Sequence, residues 1–387
     1  MNLVRRVSPR TAGLLLIVAA LLFAGPELYD VLGGWIAPGI DFLPLRNAAT
    51  GLLDGTSVFA DPTFVYPPTA AVALLPTAFG SLSAAFAGWV VAGAVALLLA
   101  ALLIARAAPR PHRLAIFALT AMGLLGGVIA ARSLFLGNLS EFLVPIAVGV
   151  LLAFHRGRWV LGCALLAASL LIKPLLAPLL FVPILHRRWS ALLRTMLPAG
   201  ALLVLSVLLV PGGLDFPKVL RYVVTGTNLH GTNAINNLSL RGWAEGQGAS
   251  HTAAVAASAA VVAAVLWRIR RGGGNRLSPV WLGNVLLLMT FLAGGISEVH
   301  FLLSAYAGIM LFVVVHRLPA RIWVRFLPGL LLLAVPGPYL PLLLGRHSDG
   351  QTWLVAAELL LLAALLATPV GGVRATPLLR RAVPVPA

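Results

Sequence analysis

Acidic side chains are scarce in this sequence, and charge of either sign is low. Only 11 of the 387 residues are Asp or Glu, and charged residues make up 10% of the chain against 60% hydrophobic residues. Soluble domains carry roughly 25% charged residues. A chain with so little charge and so much apolar surface is typical of a protein whose solvent is mostly lipid. We therefore predict an all-α polytopic membrane protein folded as one bundle, and we exclude an ordinary soluble enzyme.

Cysteine is nearly absent as well. The single cysteine, Cys163, excludes an intrachain disulfide and a cysteine metal cluster. The eight histidines show no metal-ligand spacing such as HExxH, and the chain lacks GxSxG, a Gly-rich phosphate loop and a Rossmann fingerprint. We therefore predict no structural metal, no metal ligands and no cofactor; a dependence on a divalent metal ion is the alternative left open.

Basic residues outnumber acidic ones and give a formal net charge of +17. The arginines stand singly or in short clusters between apolar runs, without the basic face of a nucleic-acid-binding protein. If the N-terminus is cytoplasmic and the sides alternate, 21 of the 28 Lys and Arg residues fall in the cytoplasm. The positive-inside rule produces this bias. It predicts a multi-pass plasma-membrane protein with both termini in the cytoplasm.

Apolar runs bounded by charges predict about twelve spans, the first being an uncleaved N-terminal helix rather than a signal peptide. Residues 69–82 are too short to cross, so we interpret them as a re-entrant or interfacial helix. Residues 1–372 are predicted to form one membrane domain, and residues 373–387 a disordered cytoplasmic tail. The predicted spans are 11–36, 83–106, 114–131, 140–154, 160–172, 174–186, 190–211, 252–269, 278–295, 299–316, 323–344 and 352–369.

Two basic turns, 155–158 and 186–188, both favour the cytoplasm, although only about 27 residues separate them. Two half-helices must therefore turn back between them, and Lys173-Pro174 is the predicted turning point because proline breaks a helix. Irregular backbone at membrane depth is tolerated only where it is buried in protein or lines a cavity. We expect Lys173 to face a polar cavity.

Lys173 is the strongest single functional signal in the residues themselves. A lysine inside an apolar stretch is costly unless it is paired or hydrated, and it is a functional hypothesis by default. Phosphate is the anion that suits it best, because lysine acts as a point charge on phosphoryl oxygens. The alternative is a structural ion pair with Glu141 or Glu298.

The segment from Ile40 to Pro68 is polar within an apolar chain and predicts a half-structured loop on the outer membrane surface. Asp41 opens it, directly after the first span. A carboxylate at a membrane edge is partly desolvated and suits a general base, although a helix cap or a surface charge is the alternative. Asp54-Gly55 and Asp61-Pro62 are typical of turns. Tyr66-Pro67-Pro68 leads the chain back into the membrane. We interpret this turn as structural, with ligand binding as the alternative.

A second outer segment, residues 225–243, concentrates amides and hydroxyls that suit sugar hydroxyls and phosphate oxygens; a solvated loop is the alternative. Later in the chain, His300 follows Ser297 and Glu298 at the outer mouth of a predicted span. It suits a proton handler or a hydrogen-bond donor to phosphate, with a structural histidine as the alternative. The residues of 225–243 considered for such contacts are Asn228, His230, Asn233, Asn236, Asn237, Ser239 and Arg241.

Several short elements occur in an order that one enzyme family shares. They are Asp41 in IDFLPLRNA, the turn FVYPP, the Leu136-Gly137-Asn138 element, the break LLIKP, the loop NNLSLRG and the ISEVH element. The chain resembles glycosyltransferase family 87, polyprenyl-phosphate-sugar-dependent enzymes of the membrane-embedded GT-C class. Mannosyl- and arabinofuranosyltransferases of the actinobacterial cell envelope belong there. The resemblance implies a GT-C bundle with outer-face loops, and nothing beyond about residue 320 contributes to it.

The resemblance also implies an inverting single displacement at the outer face, in which Asp41 removes the proton of the acceptor hydroxyl and polyprenyl phosphate leaves. The expected partners are the polyprenyl-phospho-sugar donor, a glycolipid or polysaccharide acceptor and membrane lipids, with no nucleic acid. The implied ligands of the donor phosphate are Lys173, Arg241 and His300. The implied contacts of the sugar or donor are Asn138, Asn236, Asn237, His230 and Tyr66.

The identity of the sugar rests on smaller features. Some mannosyl relatives have paired histidines where this chain has His300-Phe301, and some arabinofuranosyl relatives have two adjacent acids where it has only Asp41. We expect a mannosyl residue to be transferred, with arabinofuranose as the alternative. A lipid-linked sugar transporter or flippase is the alternative from another class, because broken helices occur in transporters too. Two related halves would mark a transporter, and the sequence shows none.

Overall fold

The fold is described from a computed structural model of the chain. It describes residues 8, 10, 11, 13, 14, 17 and 18 and the continuous ranges 39–225, 237–294, 297–334 and 350–368. Most of the predicted first span, the greater part of the Asn-rich outer segment and the predicted tail at 373–387 lie outside these residues.

Every regular element in the described ranges is helical, which confirms the predicted all-α class. In chain order the α-helices are α1 (Phe42–Leu53), α2 (Pro68–Ala73), α3 (Leu82–Ala107), α4 (Arg113–Leu125), α5 (Val128–Leu136), α6 (Ser140–His155), α7 (Trp159–Leu170), α8 (Phe181–Leu185), α9 (Trp189–Leu209), α10 (Phe216–Thr225), α11 (Leu240–Gly246), α12 (His251–Arg271), α13 (Pro279–Ala293), α14 (Leu302–Val315), α15 (Ala320–Trp323), α16 (Leu327–Ala334) and α17 (Gly350–Leu366).

Three of these helices, α3, α9 and α12, are long and apolar enough to cross a bilayer. At 1.5 Å per residue, the 26 residues of α3 span about 39 Å, more than the hydrocarbon thickness of a membrane. Helix α9 exposes large apolar side chains, with Leu197 67% and Leu209 71% exposed. A water-soluble protein would bury such a row, so these helices mark a membrane protein. Six shorter apolar helices accompany them. The count of about twelve spans stays a prediction.

The core lies around α6, α13 and α14, which pack on one another and on α3, α7 and α17. These three helices are apolar on nearly all sides, the pattern of helices surrounded by protein. Three of their large side chains, Phe154, Trp281 and Phe312, are at most 1% exposed. Ser140 at the start of α6 and His300 just before α14 place polar groups at the ends of two of these helices.

Two predicted segments differ from the structure. The loop predicted to follow Ile40 contains the 12-residue helix α1, which buries Phe42, Leu45 and Ala49 on one face. Tertiary contacts account for this helix, because Arg46 donates to the Thr77 carbonyl at 2.9 Å and to the Gly80 carbonyl at 2.8 Å. The span predicted at 114–131 is divided into α4 and α5. The paired glycines at 126 and 127 interrupt the helical backbone between them, consistent with their low helix propensity.

The predicted break at Lys173 is confirmed. Helix α7 ends at Leu170, Lys173 is extended with φ −151°, and a 3₁₀ helix begins at Pro174. The predicted interfacial segment 69–82 likewise contains only short pieces, α2 and a 3₁₀ turn, before α3 begins at Leu82.

Gly137 joins α5 to α6 in the left-handed conformation, with φ +74°. A Cβ at this position would lie 2.6 Å from the Cβ of Phe42. The turn brings α1 against the end of α5, and the Asp41 amide donates to the Leu136 carbonyl at 2.9 Å. Glycine is therefore required both by the backbone conformation and by the close approach of α1.

We expect Gly137→Ala to lower the free energy of unfolding by about 1–3 kcal/mol more than Gly157→Ala does. Gly157 is the matched control, because its φ is +72° but nothing lies within 4 Å of an added Cβ. The measurement is the thermal unfolding of both variants in detergent. Equal unfolding midpoints for the two variants would mean that α1 does not pack on Gly137 as described.

Candidate active site

Asp41 precedes α1, at the position where a side chain commonly caps a helix. Its carboxylate makes no capping hydrogen bond to α1, which removes that alternative. Instead Asp41 Oδ2 accepts a hydrogen bond from Asn138 Nδ2 at 2.8 Å. The side chain is half-buried. The structure thus turns the first-loop acid toward the α5–α6 turn.

Asn138 lies in that turn and is 2% exposed. Its Oδ1 accepts hydrogen bonds from the Ser140 amide at 3.0 Å and from Ser140 Oγ at 2.9 Å. The same oxygen accepts a hydrogen bond from Lys173 Nζ at 3.0 Å. Because two donors from Ser140 fix which end of the amide is the oxygen, the Nδ2 group is directed to Asp41.

Lys173 brings its ammonium group to the same place from the break after α7. Its backbone amide donates to the Ser169 carbonyl at 2.8 Å, which holds the extended residue against the end of the helix. Lys173 is 8% exposed. Its Nζ donates to Ser140 Oγ at 3.1 Å and lies 3.3 Å from His300 Nε2, in addition to its contact with Asn138.

No carboxylate of the described residues lies within 4.0 Å of Lys173 Nζ, so the structural ion pair with Glu141 or Glu298 is not formed. Aromatic rings complete its surroundings. Nζ lies 5.5 Å from the centre of the Tyr66 ring and 5.1 Å from that of Phe301. Such cation–π contacts stabilise a cation by roughly 0.5–2 kcal/mol, much less than the cost of burying it. The site therefore holds a buried positive charge that an anion would stabilise.

His300 is 3% exposed and lies between Lys173 and Glu298. Its Nε2 is 2.7 Å from Glu298 Oε2, which is the closer of its two polar neighbours. Burial disfavours ionisation of Glu298, but the charge and hydrogen bond of His300 and the charge of Lys173 outweigh it and lower the pKa of Glu298 to about 2. One ring nitrogen cannot donate to Glu298 and accept from Lys173 together. When Nε2 carries a proton it donates to Glu298, and when it carries none it accepts from Lys173.

Asn237 begins the motif NLSLRG at the start of α11. Its Oδ1 accepts hydrogen bonds from the Ser239 amide at 3.0 Å and from the Ser297 amide at 2.8 Å. Ser239 Oγ caps the helix by accepting from the Gly242 amide at 3.1 Å. A Cβ on Gly242 would lie 2.6 Å from Asn237 Cγ, so the glycine makes room for the amide. Asn237 thus connects the turn before α11 to the segment that carries His300.

The other predicted ligands are placed differently. Arg241 Nε lies 3.9 Å from Glu245 Oε1, and none of its contacts in the described ranges reaches Lys173 or His300. The predictions for His230 and Asn236 fall outside the described residues. The structure therefore brings together Asp41, Asn138, Lys173, His300 and Tyr66. Asn237 holds the segment before His300 through the Ser297 amide.

Two residues of this cluster, Ser140 and Phe301, were missed by sequence reasoning. Ser140 was visible only as the third residue of an Asn-Leu-Ser pattern. The same pattern at 237–239 forms the same turn, in which the Asn side-chain oxygen accepts a hydrogen bond from the Ser amide. Phe301 looked like an ordinary apolar residue at the start of a span. Glu298 was considered as a partner for Lys173 and proves to be the partner of His300.

Comparison with known proteins identifies the family. The sequence profile described as glycosyltransferase family 87 matches residues 64–295, more than half of the chain. The chain belongs to glycosyltransferase family 87. Among curated proteins it is similar to an alpha-(1->3)-arabinofuranosyltransferase of Corynebacterium glutamicum, with 25% identity over 185 residues. The alignment covers 46% of this chain and 44% of that relative, so the chain spans less than half of the relative's length. No solved structure matches the chain.

This is the family that the resemblance implied. Asn138 and Lys173 fall inside the matched residues. Asp41 lies before them and His300 just after them. The cluster therefore combines two side chains from the matched region with two from outside it.

We expect Lys173→Met to unfold at the same temperature as the wild type or higher, because it removes a buried charge that lacks a carboxylate partner. The same change should weaken binding of a polyprenyl phosphate at least about tenfold. Thermal unfolding and direct binding measure the two effects. Lys218→Met is the control, since Lys218 is 77% exposed. A clear loss of stability with unchanged binding would make Lys173 a structural residue.

Proposed function

We propose that this glycosyltransferase transfers a sugar from a polyprenyl-phosphate donor to a cell-envelope acceptor with inversion of configuration. The observation that carries the proposal is the buried amine of Lys173, which contacts no carboxylate of the described residues directly and is linked through Asn138 to the carboxylate of Asp41. A phosphate beside Lys173 would supply the missing negative charge. A carboxylate a few ångströms away would be free to accept a proton.

In the proposed step, Asp41 acts as the general base. Its carboxylate takes the proton of the acceptor hydroxyl while the oxygen of that hydroxyl forms a bond to the anomeric carbon. The bond from this carbon to the phosphate oxygen breaks, and its electron pair leaves with polyprenyl phosphate. Phosphate is already a good leaving group, so the protein has mainly to position the reactants and stabilise charge.

Lys173 is the proposed ligand of the leaving phosphate, with His300 as a second donor. His300 suits this role because its Nε2–H group, which now lies beside Glu298, can donate to a phosphate oxygen instead. Asn138 and Tyr66 line the same place and are proposed contacts of the donor. Arg241, Asn237, His230 and Asn236 stay predictions from the resemblance, and Arg241 would have to release Glu245 to reach the phosphate.

Two sugars are candidates. The similar protein of Corynebacterium glutamicum is named for arabinofuranosyl transfer, which supports arabinofuranose for this chain as well. Mannose, the first expectation from the sequence, remains the second candidate because no residue of the described site discriminates a furanose from a pyranose. The acceptor is proposed to be a glycolipid or polysaccharide, and no cofactor is proposed.

The membrane arrangement belongs to the same proposal. It places about twelve spans in the plasma membrane, both termini in the cytoplasm and the site at the outer face. The donor lipid would lie among the helices. This arrangement is supported by the basic residues in the turn before α7 and in the turn after α8, because Lys173 lies between these two helices at their other ends.

We expect the wild-type protein to transfer sugar from polyprenyl-phospho-arabinofuranose or from polyprenyl-phospho-mannose. Asp41→Asn should transfer at least about 10²-fold more slowly, because it loses the general base. Asp54→Asn is the matched control, as Asp54 is an exposed acid at the other end of α1. The measurement is product formation with each donor. Equal rates for Asp41→Asn and the wild type would remove Asp41 from catalysis.

Cysteine labelling in intact cells tests the orientation. The native Cys163 is buried and should give little background. A cysteine in place of Asp54 should react with an impermeant thiol reagent added outside, and one in place of Gly273 should not. Labelling of the Gly273 position alone would invert the proposed topology.

A further inference from the structure

A surface cavity of about 230 Å³ lies beside the outer loop, apart from the cluster around Lys173. This is room for far more than one water molecule. One wall consists of Phe59, Asp61 and Phe64, and the other includes Asp215 and Lys218. The two walls come from parts of the chain more than 140 residues apart. The function proposed above uses none of these five side chains.

The two walls are joined by backbone contacts. The Val58 amide donates to the Pro211 carbonyl at 3.0 Å. Gly212 has φ +77°, and a Cβ there would lie 1.9 Å from Ser57 Oγ. The loop that carries Phe59 and Asp61 is therefore held directly against the turn before α10, which shapes the cavity.

Asp61 is fixed in position as an ionised acceptor. It accepts hydrogen bonds from the Thr63 amide and from Asn47 Nδ2, each at 3.0 Å. Burial would raise the pKa of Asp61, but hydrogen bonds from Thr63 and Asn47 outweigh it and lower the pKa. The second acid, Asp215, is 2.6 Å from Lys218 in a surface ion pair. Such pairs are weak, so a ligand hydroxyl can compete for either partner.

Aromatic rings connect the cavity to the proposed donor site. The ring centres of Phe216 and Phe59 are 6.5 Å apart, those of Phe59 and Phe64 are 5.6 Å apart, and those of Phe64 and Tyr66 are 5.4 Å apart. Tyr66 is the ring beside Lys173. The cavity is thus the outer end of a continuous series of rings whose inner end is at the phosphate site.

We propose that this cavity binds a neutral sugar unit of the acceptor glycan, at a distance from the hydroxyl that reacts. The inference rests on the proposed function, because it treats the second substrate as a saccharide. Apolar sugar faces pack on aromatic rings, while sugar hydroxyls donate to carboxylates such as Asp61 and Asp215. An anionic lipid headgroup would instead meet two acids. Apolar walls with a few fixed polar groups are the usual composition of a ligand site.

Kinetics with a defined acceptor test the cavity. With a synthetic octyl diarabinofuranoside or octyl dimannoside as acceptor, Asp61→Asn and Phe59→Ala should each raise the acceptor KM about tenfold, the effect of one lost charged hydrogen bond or ring contact. The donor KM and kcat should change less than about twofold. Asp54→Asn, an acid of the same loop outside the cavity, should leave all three values unchanged. Thermal unfolding verifies that each variant is folded.

Binding without turnover separates this inference from the proposed function. Saturation-transfer NMR with methyl α-D-arabinofuranoside and methyl α-D-mannopyranoside should detect contact with the full-length protein and with Asp41→Asn, and the signal should fall in Asp61→Asn and Phe59→Ala. Sugar contact without transfer from any polyprenyl donor would support the cavity and contradict the proposed reaction. Transfer with an acceptor KM equal in wild type, Asp61→Asn and Phe59→Ala would overturn the cavity and leave the reaction standing.

Discussion

The carboxamide of Asn138 lies between a carboxylate and an ammonium group, and the candidate site depends on that placement. Its Nδ2 donates to Asp41 and its Oδ1 accepts from Lys173. In direct contact the carboxylate and the ammonium group would form an ion pair, and neither would then be available to a substrate. The neutral amide instead makes one hydrogen bond to each group and keeps the two charges out of direct contact. In the proposed reaction, this arrangement lets Asp41 act as a base while Lys173 binds the phosphate.

The apolar bundle supplies this cluster only where its helices end. Asn138 follows the left-handed Gly137 after α5, Lys173 follows the last turn of α7, and His300 precedes α14. Helix interiors satisfy their own backbone groups and offer lipid-like surfaces, so polar chemistry in a membrane is concentrated at such interruptions. Because the three interruptions converge, residues more than 100 positions apart meet at one place.

Much of this could be predicted from the sequence. A lysine before a proline in an apolar run must interrupt a helix, and its burial follows from the length of that run. The helix α1 could not be predicted, because Arg46 and Asn47 look like loop residues. Their polar groups are satisfied by the Thr77 and Gly80 carbonyls and by Asp61, which only the tertiary fold brings near. The same holds for Ser140 and for the pairing of His300 with Glu298, since neither pattern specifies a distant partner.

The chain contains only two lysines, Lys173 and Lys218, which makes the central claim directly measurable. Solid-state NMR of ¹⁵N-lysine-labelled protein with bound polyprenyl phosphate can report the distance from each lysine nitrogen to phosphorus. We predict that Lys173 Nζ lies within about 4 Å of phosphorus and that the nitrogen of the exposed Lys218 shows no coupling to phosphorus. Bound phosphate without coupling to Lys173 would contradict it.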